Sequence, residues 1–251
     1  MAHPDPTTAT STATTTATTP TPTHAPAGTT FTPDTVSVVI GGTSGIGRAV
    51  VDALSARPGR VIAAGLTTGL DVADPSAVAA FFESIGPVDH VVFTAGSQAP
   101  GGPVASLDLD AAKAAFDIKF WGAIAVARAA AGRLRPGGTL TLTSGFLARR
   151  AVPGAFVKTA MNAALEASAK LLARELAPLR VNVVSPGLTD TEAYAGMAPE
   201  ARAAMLAKAA STLPTGRAGQ VQDLAAGYLF LIDNPFVTGS VIDIDGGALI
   251  Q

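Results

Sequence analysis

Val38-Val39-Ile40 runs directly into Gly41-Gly42-Thr43-Ser44-Gly45-Ile46-Gly47, and a segment of helical period follows. An apolar strand, a glycine turn and a helix N-terminus in that order form a phosphate cradle. The glycines let the backbone turn tightly and approach a pyrophosphate, and the helix dipole favours its charge. A plain glycine-rich connection is the alternative for the same residues. Elsewhere the chemistry is bounded by what is scarce among the 251 residues. There is no cysteine, which excludes a thiol nucleophile, a thiolate zinc site, an iron–sulfur cluster and a disulfide. Of three histidines, His3 and His24 lie in a low-complexity head. His90 alone remains beyond it, so a multi-histidine metal site is excluded there and a Ser-His-Asp arrangement would rest on that one residue. A step that needs a tyrosine must use Tyr194 or Tyr228, because there are no others.

Elements of a regular kind must hold these residues. Apolar runs of strand length alternate with Ala-rich segments of helical period, the pattern of βα units and a parallel sheet. Strands are expected at 35–40, 60–64, 89–93, 138–143, 180–184 and 240–243, with a short one near 68–71. Helices are expected at 45–57, 75–85, 108–133, 155–177 and 220–232, and a looser one at 197–210. Residues 34–251 therefore read as a single α/β domain with a Rossmann-type, doubly wound parallel sheet. Residues 1–33 are mostly Thr, Ala and Pro with almost no charge. They cannot bury enough surface to offset their ordering entropy, so a disordered tail is expected, with a docking or modified tail as the alternative.

Seventeen Lys and Arg against nineteen Asp and Glu give a formal net charge of −2. No basic patch neutralises phosphates, so nucleic acid is not an expected partner. No apolar run reaches the roughly 18 residues of a spanning helix. No Lys or Arg precedes Arg48 and no apolar core lies near the start, so no secretory leader is expected and the cytoplasm is the expected compartment.

The glycine spacing, Gly-x3-Gly-x-Gly, resembles that of the short-chain dehydrogenase/reductase family. Further matches follow in the family's order. Leu70-Asp71-Val72 sits where members place an aspartate near the adenine. Phe93-Thr94-Ala95-Gly96 sits where they carry Asn-Asn-Ala-Gly. Arg180-Val181-Asn182 and Ser185-Pro186-Gly187-Leu188-Thr189-Asp190-Thr191 look like the strand and loop over the nicotinamide. Val237-Thr238-Gly239 and Asp243-Ile244-Asp245-Gly246-Gly247 look like the last strand and turn. The resemblance covers 35–249. It implies a nicotinamide cofactor bound by Gly41, Thr43, Ser44, Gly45, Ile46, Gly47, Leu66, Thr67, Asp71, Val72, Thr94, Ala95, Gly96, Pro186, Gly187, Thr189 and Thr191. It also implies a small-molecule substrate and assembly as a homodimer or homotetramer through the long helices.

An NAD-preferring member would carry an acid at the end of the second strand to bond the adenine ribose. Here Val61-Ile62-Ala63-Ala64-Gly65-Leu66-Thr67-Thr68 has none. It also lacks an Arg for a 2′-phosphate, and Leu66 stands where NADP-users often carry one. Thr67, Thr68 and Arg48 are the available donors. The missing carboxylate favours NADP(H) over NAD(H). No helix is expected between the second strand and the short one near 68–71, which shortens the adenine-side wall.

The resemblance breaks at the catalytic centre. Members use a serine, a tyrosine, a lysine four residues later and an asparagine on the preceding long helix. Ser144 matches the serine. Aligning Ala163-Ala164-Leu165-Glu166 with the run that follows the family's lysine puts Lys158 at the tyrosine position and Asn162 at the lysine position. Lys119 stands where the asparagine is expected. The sharper reading has Ser144, Lys158, Asn162 and Lys119 lining one pocket. Ser144 would polarise a carbonyl or imine, and Lys158 or Lys119, its pKa depressed by burial and by the other amine, would handle the proton. On the blander reading Lys158 faces solvent and Ser144 only ends a strand. The expected activity is hydride transfer to or from a small ketone, alcohol or imine. The alternatives are a non-redox lyase, isomerase or cyclase, and a cofactor-binding protein without turnover.

Overall fold

Val36–Ile40 is apolar apart from one serine and is buried on both faces, as a strand with helices on either side must be. It forms β1 of the computed structural model, which describes Met1, residues 31–96 and residues 98–251. The other strands are β2 (Arg60–Ala64), β3 (Val88–Phe93), β4 (Leu134–Thr143), β5 (Arg180–Pro186) and β6 (Val241–Ile244). All pair in parallel in the order β2-β1-β3-β4-β5-β6. The order reverses between β1 and β3, so a crevice opens at their carboxyl ends.

The helices are α1 (Gly45–Ser55), α2 (Pro75–Ile85), α3 (Leu109–Phe116), α4 (Gly122–Ala131), α5 (Phe156–Glu175), α6 (Pro199–Thr212) and α7 (Val221–Asp233). Side chains of α2, α4 and α5, such as Phe82, Val126 and Leu165, pack on one face of the sheet. Those of α1 and α7, such as Val50, Leu54 and Leu231, cover the other. Each such fully buried side chain contributes roughly 2 kcal/mol. This is the doubly wound α/β architecture. Among the described residues no helix is long and apolar enough to cross a membrane, and no cluster of metal-ligating side chains occurs.

Three expectations change. The strand near 68–71 does not form. Leu66–Thr68 is a 3-10 turn, closed by the Gly65 amide donating to Thr68 Oγ1 at 2.9 Å, and Gly69 follows with φ of 88°. A run this short and glycine-flanked satisfies its backbone locally, so β2 is left as the sheet edge. The long helix expected at 108–133 is broken into α3, a π-helical turn at Asp117–Trp121, and α4. Residues 2–30 of the expected tail lie outside the described residues. Phe31, assigned to that tail, belongs to the folded unit: it is buried against the α1/α7 layer, stacks 5.2 Å from His90 and carries the Arg57 guanidinium 4.6 Å above its ring.

Candidate functional site

The end of β1 and the start of α1 enclose one end of a cleft of about 430 Å³. Gly47 is obligatory there, because a Cβ would overlap the Gly41 carbonyl oxygen and the Thr94 hydroxyl. Ser44 is the N-cap of α1 yet makes no side-chain cap, and the first turn carries no acid. The leading amides of α1 are therefore open to a ligand's anionic oxygens. One of them shows this directly: Gly45 N–H donates to Glu192 Oε2 at 2.9 Å. A carboxylate from the loop after β5 occupies the place suited to a phosphate oxygen.

The cleft gathers most of the residues expected to hold a dinucleotide. Leu66, Thr67, Asp71, Val72, Thr94, Ala95, Gly96 and Thr191 line it together with the glycine turn. Gly65, Leu70, Gln98, Ile118, Glu192 and Ala193 join them without having been expected. Pro186, Gly187 and Thr189 are not in its wall. The Gly187 amide donates to Ile244 O at 3.0 Å, and Thr189 Oγ1 donates back to Gly187 O at 3.2 Å. These residues brace the loop that carries Thr191 and Glu192, because a turn leaving a strand must satisfy its own backbone groups first.

Gly96 joins the cleft to a buried polar cluster. Its φ is 87°, and a Cβ would come within 2.6 Å of Lys119 Cβ. The π turn puts an extra residue into one helical turn and so changes which side chains face inward. Lys119 is only 7% exposed, while its neighbours Ile118 and Trp121 are exposed. Its Nζ donates to Ser144 O at 3.0 Å. Burial, with the nearby Lys158 charge second, lowers its pKa from 10.5 to about 8. Lys158 is half-buried on α5 and is near enough to act on Lys119 electrostatically. Asn162, one turn further, is buried beside Gly145, and its Oδ1 has no hydrogen-bond partner. The structure thus brings Ser144, Lys119, Lys158 and Asn162 to one place, at the carboxyl edge of β4.

The Ser144 hydroxyl, expected to polarise a carbonyl, donates to Glu166 Oε1 at 2.8 Å. Glu166 is buried and pairs with Arg149, whose Nε lies 3.1 Å from Oε2. Arg149 also binds Asp243 and lies 3.2 Å from Ser185 Oγ. Glu166 served only to set the alignment register in the sequence, although its spacing, four residues beyond Asn162 and eight beyond Lys158, was a usable signal.

Tyr228 and His90 take structural places, and Tyr194 lies in the loop after β5. Tyr194 closes the 3-10 turn Glu192–Tyr194. Burial, and then Asp190, raise its pKa. Tyr228 is fully buried with its hydroxyl 2.6 Å from Thr143 Oγ1, and burial pushes its pKa up. His90 Nδ1 lies 3.0 Å from Thr139 Oγ1, and burial lowers its pKa to about 4.

Open amides at a helix start and glycines that admit close approach fit a dinucleotide. The comparisons with known proteins agree. A family model described as enoyl-(acyl carrier protein) reductase matches residues 37–248. A short-chain dehydrogenase/reductase of Stachybotrys chlorohalonatus is 32% identical over 85% of this chain and 96% of its own length. Carbonyl reductase family member 4 of Danio rerio is 29% identical over 84% of this chain and 97% of its own. A solved small-chain dehydrogenase in complex with NADPH superposes with a TM-score of 0.86 at 51% identity, covering 87% of this chain and all of that one. The chain belongs to the short-chain dehydrogenase/reductase family.

Proposed function

We propose that the protein is a nicotinamide-dependent oxidoreductase that interconverts a small ketone and alcohol, or an imine and amine, with NADP(H) as its cofactor. The observation that carries this reading is contact: Gly96, in the wall of the cleft, packs on Lys119, whose amine binds Ser144 of the buried cluster. The α1 amides and Thr43 hold the pyrophosphate. Thr94, Ala95, Gly96 and Thr191 hold the nicotinamide half. When bound, the nicotinamide supplies or accepts hydride. Ser144 meets the substrate oxygen, and Lys119 and Lys158 place positive charge beside it, where negative charge develops.

Two points support NADP(H). No carboxylate in 61–68 is present to repel a 2′-phosphate, and the solved relative of 51% identity holds NADPH. Thr67, in the wall of the cleft, and Arg48 are the donors available to such a phosphate. Leu66, 77% exposed at that end of the cleft, is the position to test. Leu66→Asp is expected to weaken NADPH several-fold and to leave NADH binding nearly unchanged. An unaltered NADPH:NADH ratio in fluorescence titration would remove this assignment. We also propose self-association as a dimer or tetramer, supported by the exposed Leu109, Trp121 and Phe156 on α3, the π turn and α5.

The test of the function is to titrate NADPH and NADH by fluorescence, then follow the reduced-nicotinamide absorbance with a panel of small ketones and imines. The expected result is binding followed by oxidation of NADPH, with turnover reduced by Lys158→Ala. Tight binding without oxidation by any substrate would favour a non-redox enzyme or a cofactor-binding protein.

A further inference from the structure

Lys158, Asn162 and Glu166 recur at four-residue intervals on α5 and so share one face of it. Glu166 is 9% exposed and Ser144 3%. The Ser144 hydroxyl has a single hydrogen, and it is committed to Glu166 Oε1 at 2.8 Å. The other carboxylate oxygen is held by Arg149 at 3.1 Å, which is fixed in turn by Asp243. A hydroxyl held this way offers only its lone pairs to a further neighbour. It meets a substrate as a hydrogen-bond acceptor, the polarity suited to an alcohol.

Resting on the redox reading above, we propose that Ser144 and Glu166 form a two-proton relay, with Ser144 touching the substrate oxygen and Glu166 acting through it. In alcohol oxidation the substrate O–H bond breaks and its proton passes to Ser144 Oγ. The Ser144 O–H bond breaks in concert, and that proton passes to Glu166 Oε1. The carbinol C–H pair leaves as hydride to the oxidised nicotinamide, and the C–O bond becomes C=O. Two electrons thus leave with the hydride, one proton resides on Glu166, and Ser144 ends as it began. Reduction runs the same path backwards. The amines of Lys119 and Lys158 stabilise charge on the oxygen and are not links in the relay. Arg149 is a positioning residue that orients the Glu166 carboxylate.

Glu166→Gln is the decisive variant, because the amide oxygen still accepts from Ser144 but cannot take its proton. Wild-type protein is assayed with NADP⁺ and a panel of small secondary alcohols, and with NADPH and the matching ketones. Glu166→Gln is expected to lower kcat about 100-fold or more while NADPH titration stays as in wild type. Ser144→Ala should lose a similar factor, and the double variant no more than either alone, because the pair acts as a unit. A role confined to packing would make the losses multiply. Should Glu166→Gln fail to fold, a proton inventory of wild-type turnover in mixed water and deuterium oxide decides. A curved plot indicates two protons in flight, and a straight one overturns the relay. Unchanged kcat in Glu166→Gln overturns the relay but leaves the redox reading standing. Absence of any turnover by the wild type with the whole panel overturns both.

Discussion

Replacing Lys119 with methionine is expected to remove a rise in stability that the wild-type protein shows between about pH 8 and pH 10.5. The unfolded chain binds the Lys119 proton up to 10.5, whereas the folded chain releases it near 8, because burial and the Lys158 charge oppose the cation. Between these values the unfolded state holds more protons, so stability increases with pH there. Below 8 both states are protonated and the folded protein carries the full cost of the buried charge. The drop from 10.5 to about 8 corresponds to roughly 3 kcal/mol across the window. At neutral pH the variant loses this cost but strands the Ser144 carbonyl that Lys119 binds, which takes back about 1–2 kcal/mol. The net gain at pH 7 is therefore small, and the slope is the signature. Denaturant unfolding of both proteins at several pH values between 7 and 10.5 measures it. Parallel curves would show that the amine is protonated and solvated throughout. On the proposed function the same variant also loses turnover, because a positive charge beside the substrate oxygen is gone.

Glu192→Gln is expected to tighten NADPH binding roughly five- to ten-fold. In the structure the Glu192 carboxylate accepts from Gly45 N–H, an amide at the start of α1 that a pyrophosphate oxygen would need. The cofactor must expel that carboxylate and then tolerate its negative charge beside the phosphates. A charge-assisted hydrogen bond of this exposed kind is worth about 1 kcal/mol, and the residual repulsion adds a comparable amount at low salt. Glutamine keeps a weaker acceptor and removes the charge. Fluorescence titrations of wild type, Glu192→Gln and Glu192→Ala at two ionic strengths test this. Tighter binding in both variants, with the advantage shrinking in salt, is the expected pattern. Weaker binding in both would mean that Glu192 helps to hold the cofactor rather than competing with it.

Much of the frame was legible because its signals are local. The apolar runs at β1, β3 and β5 and the Ala-rich helical periods mark buried elements, and the glycine turn marks the cleft. The observed helices at 75–85 and 156–175 differ from expectation by no more than two residues at either end. The segment 68–71 misled because Leu70 looks like a strand residue, yet it is buried beside a turn rather than paired in the sheet. The π turn at 117–121 was also invisible, since one extra residue in a helical turn leaves composition and period almost unchanged.

At the site, residue types and chain order by themselves pointed to the phosphate cradle and to Ser144 at a strand end, and the family resemblance implied Lys158 at the tyrosine position. They also ruled out cysteine chemistry and a multi-histidine metal site. What only the tertiary structure decided is who binds whom. Ser144 is 22 residues from Glu166, Lys119 is 25 from Ser144, and Gly45 is 147 from Glu192. A hydrogen bond depends on direction and on a few tenths of an ångström, and separations in sequence carry neither until the sheet and its helices bring the partners together.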